Sequence, residues 1–415
     1  MLLNLLWLGL FVCAFVVAGV RLVLGDLAVF PQVLAALFEA ARTGFEVSFG
    51  LVGVMALWLG ILRVGERAGL VDGLARLAAP LLRRLLPGVP AGHPAQGAVV
   101  MNVSANLLGL DNAATPLGLK AMQALQTLNP QPTRATDAQI LFMVLNTAGL
   151  TLIPSSVMAM RQTLAVKQGL AGFNAADIVL PTLLVTAISL LAALVAVALA
   201  QRLPLWRARV LLPAGAAVAA LAAMLWGLAQ LPPETLARVS GLAGSLLILT
   251  LVVVFLLAGA WRRVPVYETF VEGAAEGFGV AVRIVPYLVA MLAAVGVFRA
   301  AGCLDAVLQA VGAGVTALGG RTEFLPALPV GLMKILSGSG ARALMVDVMQ
   351  AQGVDSFAGR LAAIIQGSTE TTFYVLAVYA GSVGLKDLRH ALACALLADG
   401  VGLLAAIGVA YAFYG

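Results

Sequence analysis

Charge is what these 415 residues have least of: only 11% are Asp, Glu, Lys or Arg, against 62% hydrophobic, and the mean hydropathy is +1.03. That much polar surface cannot cover a soluble globule of this length, so the composition places the chain in a lipid bilayer. Histidine is nearly absent, with His93 and His390 alone, which argues against a His-based metal centre. Cys13, Cys303 and Cys394 all lie in apolar segments and read as small buried hydrophobes rather than a disulfide or metal framework. No Walker A, kinase or nucleophile-elbow pattern occurs, so no internal ATPase, no catalytic residue, no metal site and no cofactor is expected. The net charge of +6 comes from scattered cations, with no basic block or aromatic platform, so nucleic acid is not an expected partner. No basic residues precede the first apolar run, Met1 to Leu24, and no small-residue cleavage site follows it. It therefore reads as a span rather than a removed leader.

What the chain has instead is an apolar, Gly- and Pro-broken pattern written twice. Glu39, Ala41, Gly44, Phe45, Val47, Val52, Ala68, Gly69 and Asp72 recur, without a gap, as Glu272, Ala274, Gly277, Phe278, Val280, Val285, Ala301, Gly302 and Asp305. Over that window 11 of 34 positions are identical, where chance gives about four in so apolar a composition. Further on, the spacing of 233 residues shrinks to 220 at Thr151 and Thr371, as small loop deletions would produce. In a membrane chain such a duplication points to a transporter-like machine with its site between the repeats.

Spans are expected near 3–24, 45–63, 138–160, 178–200, 210–230, 240–260, 284–298, 360–380 and 391–414. Val71 to Leu86, with Arg76, Arg83 and Arg84, and Leu304 to Ala317 read as interfacial stretches. If each Gly-rich segment is a hairpin returning to its own side, the repeats are inverted. Arg67, Arg76, Arg83, Arg84, Arg202, Arg207, Arg209, Arg262, Arg263, Lys386 and Arg389 then share one side, which the positive-inside rule makes cytoplasmic. Arg161, Lys167, Arg299, Arg321 and Arg360 fall on the other side. Trp7, Trp58, Trp206, Trp226 and Trp261 mostly lie near span ends, as belt anchors do.

The chemistry is expected where polar groups interrupt apolar segments. Asn102, Asn106, Asn112 and Thr115 belong to a first re-entrant hairpin with its tip near Asp111. Asn146, Thr147, Thr151 and Ser155 mark one broken span, and Ser368, Thr369, Glu370, Thr371 and Tyr374 mark the other. Breaking a helix at membrane depth frees amides and carbonyls, and nearby hydroxyls and carboxamides then replace a solute's hydration shell. Their bland alternative is that Ser and Thr bond back to the preceding turn and glue helices together. Glu370, an acid in mid-span, reads as a ligand for a cationic group or a coupling proton, or else as a structural ion pair with Lys334 or Arg342. Asp399 in the last span carries the same two readings. Lys334 with Ser337 and Ser339 in the second hairpin either holds an anionic group or reaches to the interface.

These residues resemble a known family. Met101-Asn-Val-Ser-Ala-Asn106, Asn112-Ala-Ala-Thr-Pro116 and Leu145-Asn-Thr-Ala-Gly-Leu-Thr-Leu-Ile-Pro154 are similar to spore maturation protein A. Tyr267-Glu-Thr-Phe270, Leu336-Ser-Gly-Ser-Gly340 and Gly367-Ser-Thr-Glu-Thr-Thr-Phe-Tyr374 are similar to spore maturation protein B. The resemblance divides the chain into 1–204 and 205–415 and reads as a fusion, both parts resembling the nucleoside-recognition or gate domain also found in nucleoside transporters and the ferrous-iron permease. Asp111 stands where that family carries a small residue.

The resemblance implies an all-α polytopic integral membrane protein of two inverted gate-type repeats, with re-entrant helical hairpins and broken transmembrane helices. The expected function is transport or facilitation of a small polar solute (nucleoside-like, amino-acid-like or ionic), with room for a coupling proton or sodium ion and for a homo-oligomer. A multi-pass place in a bacterial cytoplasmic (inner) membrane follows. Two other classes stay open: a non-transporting scaffold or subunit in envelope or spore maturation, and a membrane enzyme acting on a lipid-linked substrate.

Overall fold

The computed structural model describes residues 2–86, 88–90, 92–107, 111–149, 151, 154–202, 215, 219, 223, 224, 227, 230 and 232–415. The described chain is all α-helical apart from short 3-10 turns and one isolated bridge between Arg134 and Asp387. In chain order the helices are α1 Leu2–Val23, α2 Val29–Arg67, α3 Leu70–Leu85, α4 Pro94–Leu107, α5 Asp111–Gln126, α6 Asp137–Thr147, α7 Ser155–Lys167 and α8 Val179–Ala200. The same order of long, short, paired and broken helices follows as α9 Pro233–Trp261, α10 Val266–Ala300, α11 Cys303–Ala317, α12 Leu328–Leu336, α13 Gly338–Gln352, α14 Phe357–Ser368, α15 Thr372–Ser382 and α16 Ala391–Tyr414. Segments of α2, α8, α9, α14–α15 and α16 are each long and apolar enough to cross a membrane, among the described residues, and the protein is polytopic.

Several expected spans take another form. The stretch 138–160, expected as a broken span, is two helices, α6 and α7, parted by seven residues, and neither alone is long enough to span. The stretch 284–298 continues past a 69° bend into α11. The expected span 3–24 coincides with α1, an apolar helix of 22 residues, while 210–230 lies outside the described residues, as do Trp206, Trp226, Arg207 and Arg209. Cys303 and Cys394 are buried as expected, whereas Cys13 is exposed. Trp58 is a core residue rather than a belt anchor.

The sequence repeat has a backbone counterpart at its glycines. Gly69 and Gly302 stand immediately before α3 and α11 with φ of 75° and 87°, a left-handed conformation that costs a residue with a Cβ about 1–2 kcal/mol. Each is followed by an acid in the first helical turn, Asp72 and Asp305, where the helix dipole favours negative charge.

The chain folds as two compact units, and each takes segments from both sides of residue 205. The first comprises 1–58, 156–175 and 274–366. In it α2 and α10 run antiparallel and touch through small residues in reciprocal positions. A Cβ on Gly44 would sit 2.9 Å from Val289 Cα, and one on Gly277 would sit 2.7 Å from Ala56 Cα. Gly44 and Gly277 are equivalent in the sequence repeat, and so are Ala56 and Val289. The unit is further held by Trp7 Nε1, which donates to Ala290 O at 2.9 Å, by Lys167 with Glu46, and by the half-buried Arg299–Asp347 pair. Arg161, fully buried, lies over the Phe173 ring and donates to Ala175 O.

The second unit comprises 59–155, 176–273 and 367–415. Its core gathers Val99, Val100, Met122, Leu125, Phe142, Val144, Val197, Leu376 and Ala395 from α4, α5, α6, α8, α15 and α16. Helices α4 and α5 form a hairpin whose flanking residues His93 and Thr127 come within 3.5 Å. At one end of the unit, Asp177 O accepts from Ser240 Oγ near the start of α9 and from Tyr414 at the end of α16. At the other end, Gln201 after α8 donates to Asp137 O at the start of α6, Arg389 pairs with Asp137, and Lys386 N and Asp387 N donate to Thr133 O. The loops with Arg202, Arg262, Arg263, Lys386 and Arg389, which charge counting puts on one side, therefore share one end of this unit. Arg63 and Arg67 join them there, paired with Glu272.

Candidate functional site

The second unit brings four of the expected polar segments together. Helix α4 starts at Pro94, whose missing N–H costs nothing in a first turn, and presents Asn102 and Asn106 one helical turn apart. Asn102 Nδ2 donates to Ala114 O across the hairpin at 2.8 Å, and Asn106 Nδ2 donates to Asn146 Oδ1 at 2.8 Å. Helix α6 is started by a capping box, Thr136 with Gln139, and ends just past Asn146. Asn146 Nδ2 donates back to Phe142 O at 2.9 Å, so its carbonyl oxygen is left facing Asn106 and the Tyr379 hydroxyl, which donates to it at 3.2 Å. Tyr379 also stacks on Phe142, ring centroids 5.5 Å apart.

Two helix interruptions meet beside this cluster. Glu370 N donates to Thr147 O at 2.9 Å, joining the end of α6 to the break between α14 and α15. The Glu370 side chain is half-buried and passes over Gly149, where an added Cβ would lie 3.6 Å from Glu370 Cγ. Thr372, the first residue of α15, donates to Asp399 Oδ2 at 2.6 Å inside the bundle. Ser189 Oγ donates to the adjacent Ala398 O at 3.2 Å. The result is a set of carboxamide, phenol and hydroxyl groups around one half-buried carboxylate, able to donate to and accept from a neutral polar solute.

Other expected residues are placed less centrally. Thr147 Oγ1 bonds back to Val144 O at 2.8 Å, the bland role considered for such residues. Thr115, Thr151, Ser155 and Thr369 are half-buried, Ser368 and Thr371 are buried, and the side chain of Asn112 lies outside the described residues. Tyr374 is 57% exposed and stands about 140° around α15 from Tyr379. The buried face of that helix runs through Thr372, Val375, Leu376 and Tyr379, and this 3–4 spacing was the available signal for the phenol that joins the cluster.

In the first unit, buried Lys334 donates from Nζ to Gln366 O at 2.9 Å, tying the second hairpin to the end of α14. Ser337 caps α13, its Oγ accepting from Gly340 N at 3.1 Å and lying 3.2 Å from Ser339 Oγ. At the spacing of 220 residues Gln366 is the counterpart of Asn146. Each hairpin is thus bonded to the end of the broken helix that follows it, through Asn106 in one unit and Lys334 in the other. Among the described residues no three or more His, Cys, Asp or Glu side chains are grouped to hold a metal ion. A hollow of about 300 Å³ lined by Asn129, Gln131, Arg134, Thr136 and Arg389 lies at the loop end, away from the carboxamides.

A hairpin bonded to a broken helix in an all-α membrane protein is accompanied by a family match. The chain belongs to the gate family, described as nucleoside recognition, which it matches over residues 48–164 and 281–386. It is 38% identical to spore maturation protein A of Bacillus subtilis (strain 168) over 192 residues, 46% of this chain and 92% of that protein. It is 44% identical to spore maturation protein B of the same organism over 160 residues, 39% of this chain and 88% of that protein. Counterparts of two separate proteins are thus joined here in one chain. No solved structure matches it.

Proposed function

We propose that this protein carries, or eases the passage of, a small polar solute across the membrane, and that nucleoside-like solutes are the first class to test. The observation that carries the reading is the Asn106–Asn146 bond, which sets hairpin and broken helix against each other through neutral groups that a solute's hydroxyl or amide can replace. Asn102, Asn146 and Tyr379 supply donors and acceptors, and Glu370 takes a cationic group, a proton or a sodium ion. Lys334, Ser337 and Ser339 form a second set in the other unit, with a cation where the first has only neutral groups. The family's description as nucleoside recognition supports the solute class. The reciprocal glycine contacts of α2 and α10 support an inverted pair of repeats, as alternating-access carriers have. We place the arginine-bearing end of the second unit in the cytoplasm of a bacterial cell, in its cytoplasmic membrane.

A second reading is a non-transporting subunit in envelope or spore maturation. It is favoured because Asn102, Asn106, Asn146 and Tyr379 satisfy one another without a solute, and because both relatives are named for spore maturation. A thermal-shift screen of the purified protein against nucleosides, amino acids, polyamines, metal ions and inorganic anions separates the two. Carriage predicts that one class raises the unfolding midpoint of the wild type and that Asn146→Ala and Glu370→Gln abolish the rise. If nothing stabilises the wild type, and both variants fully complement a deletion strain, the subunit reading stands instead.

A further inference from the structure

Among the described residues the non-glycine positions with positive φ are Arg202, Arg263 and Arg389, at 50°, 57° and 50°. This left-handed conformation belongs to Gly, and less often Asn, at the residue after a helix C-cap. Arg202 and Arg263 hold that position behind two membrane-length helices: the apolar spans end at Ala200 and Trp261, two residues earlier in each case. The turn at Arg263 is completed by Arg263 N donating to Ala260 O and Val264 N to Gly259 O, the pairing that normally selects glycine. Attraction to the helix dipole does not require an arginine there, because Arg262 at the C-cap already provides a cation with ordinary φ. Both side chains are exposed, and neither makes a hydrogen bond or ion pair among the described residues. Trp261, 89% exposed, marks the depth at which aromatic rings meet lipid headgroups.

We infer that Arg202 and Arg263 are docking points for the phosphate groups of anionic phospholipid in the leaflet facing that end of the unit. A guanidinium held at the end of a span, at headgroup depth, meets phosphate with two parallel donors, and the lipid is always adjacent to it. The backbone strain is then the cost of aiming the side chain along the bilayer surface instead of leaving a glycine turn. Exposed Arg262 and Lys386 extend the same cationic rim. Arg389 differs, because its Nη1 is held by Asp137 and Ala135 O, so its conformation serves the protein. The inference rests on the membrane class alone and is independent of any carried solute.

The test uses the full chain in nanodiscs of phosphatidylcholine, with or without phosphatidylglycerol, at matched ionic strength. The wild type should unfold roughly 3 °C or more higher with the anionic lipid. Arg202→Gly with Arg263→Gly should lose most of that difference while its midpoint in phosphatidylcholine stays level or rises, since glycine relieves the turn. Arg202→Lys with Arg263→Lys should keep most of it. Arg389→Gly should lower both midpoints alike. An unchanged lipid difference in the double glycine variant overturns the inference. So does full stabilisation of the wild type by inorganic phosphate in phosphatidylcholine alone, which would make the ligand a soluble anion.

Discussion

Asn106 and Asn146 lie forty residues apart in sequence and meet at 2.8 Å, Nδ2 to Oδ1, where a helical hairpin touches the end of a broken helix. The same Asn146 oxygen also takes the Tyr379 hydroxyl, so one acceptor joins α4, α6 and α15. Removing it strands the buried Tyr379 hydroxyl and leaves Asn106 Nδ2 only its longer contact to Asn102 Oδ1 at 3.4 Å. Asn146→Ala should therefore destabilise the protein by about 1–3 kcal/mol and lower its unfolding midpoint in detergent. Asn146→Asp, which keeps the acceptor, should cost less, and an equal loss for the two would show that the shared acceptor matters little.

Gly118 controls the same cluster from the hairpin's return helix. A Cβ there would stand 2.2 Å from the Tyr379 hydroxyl oxygen, so Gly118→Ala must push the phenol off Asn146. We expect a loss of about 1–3 kcal/mol, as for other overpacked cores. Tyr379→Phe removes the nearest colliding atom but leaves Cζ at 2.5 Å and Cε1 at 2.7 Å, so the double variant should be less destabilised than the sum of the singles while keeping part of the clash. A double-mutant cycle in thermal unfolding checks this, and strict additivity would contradict the contact.

Thr372 and Asp399 form a buried polar contact between α15 and α16, with the carboxylate only 7% exposed. Thr372→Val keeps the shape and removes the donor, and it should cost about 1–3 kcal/mol. Thr372→Ser should restore most of this. Chemical denaturation in detergent gives the comparison, and a harmless valine would mean that the pair contributes little to the bundle.

Gly69→Ala and Gly302→Ala should each cost about 1–2 kcal/mol, because both positions need a left-handed backbone. Gly314→Ala is the matched control: it sits inside α11 with nothing within 4 Å of the added methyl, and it should be neutral or stabilising by about 0.5–1 kcal/mol. Thermal unfolding of the three variants side by side tests the repeat. Similar losses at 69 and 302 with none at 314 are expected, and a loss at only one of the pair would separate the two turns energetically.

Much of this was legible in sequence because membrane folding writes itself locally. Apolar runs mark spans, Gly69 and Gly302 stand out as matched positions of the repeat, and Asn102, Asn106 and Asn146 are conspicuous in apolar surroundings. Tyr374 and Tyr379 show where legibility stops. Both phenols lie on one helix of a recognisable motif, and only the face that packs against Phe142 decides which one enters the cluster. Arg161 shows the same limit, since its burial over Phe173 has no counterpart in local pattern.

The sequence by itself determined that the chain lies in a membrane, that it is helical, that its pattern is duplicated and which polar residues interrupt it. These are properties of composition and of periodicities a few residues long, and lipid punishes any departure from them. Only the tertiary structure decided that each compact unit draws on both sequence halves, that α2 and α10 meet through reciprocal glycines, and that Asn106, Asn146 and Tyr379 share one oxygen. Those depend on which distant segments come within a few ångströms, and hydrogen bonds act only at that range.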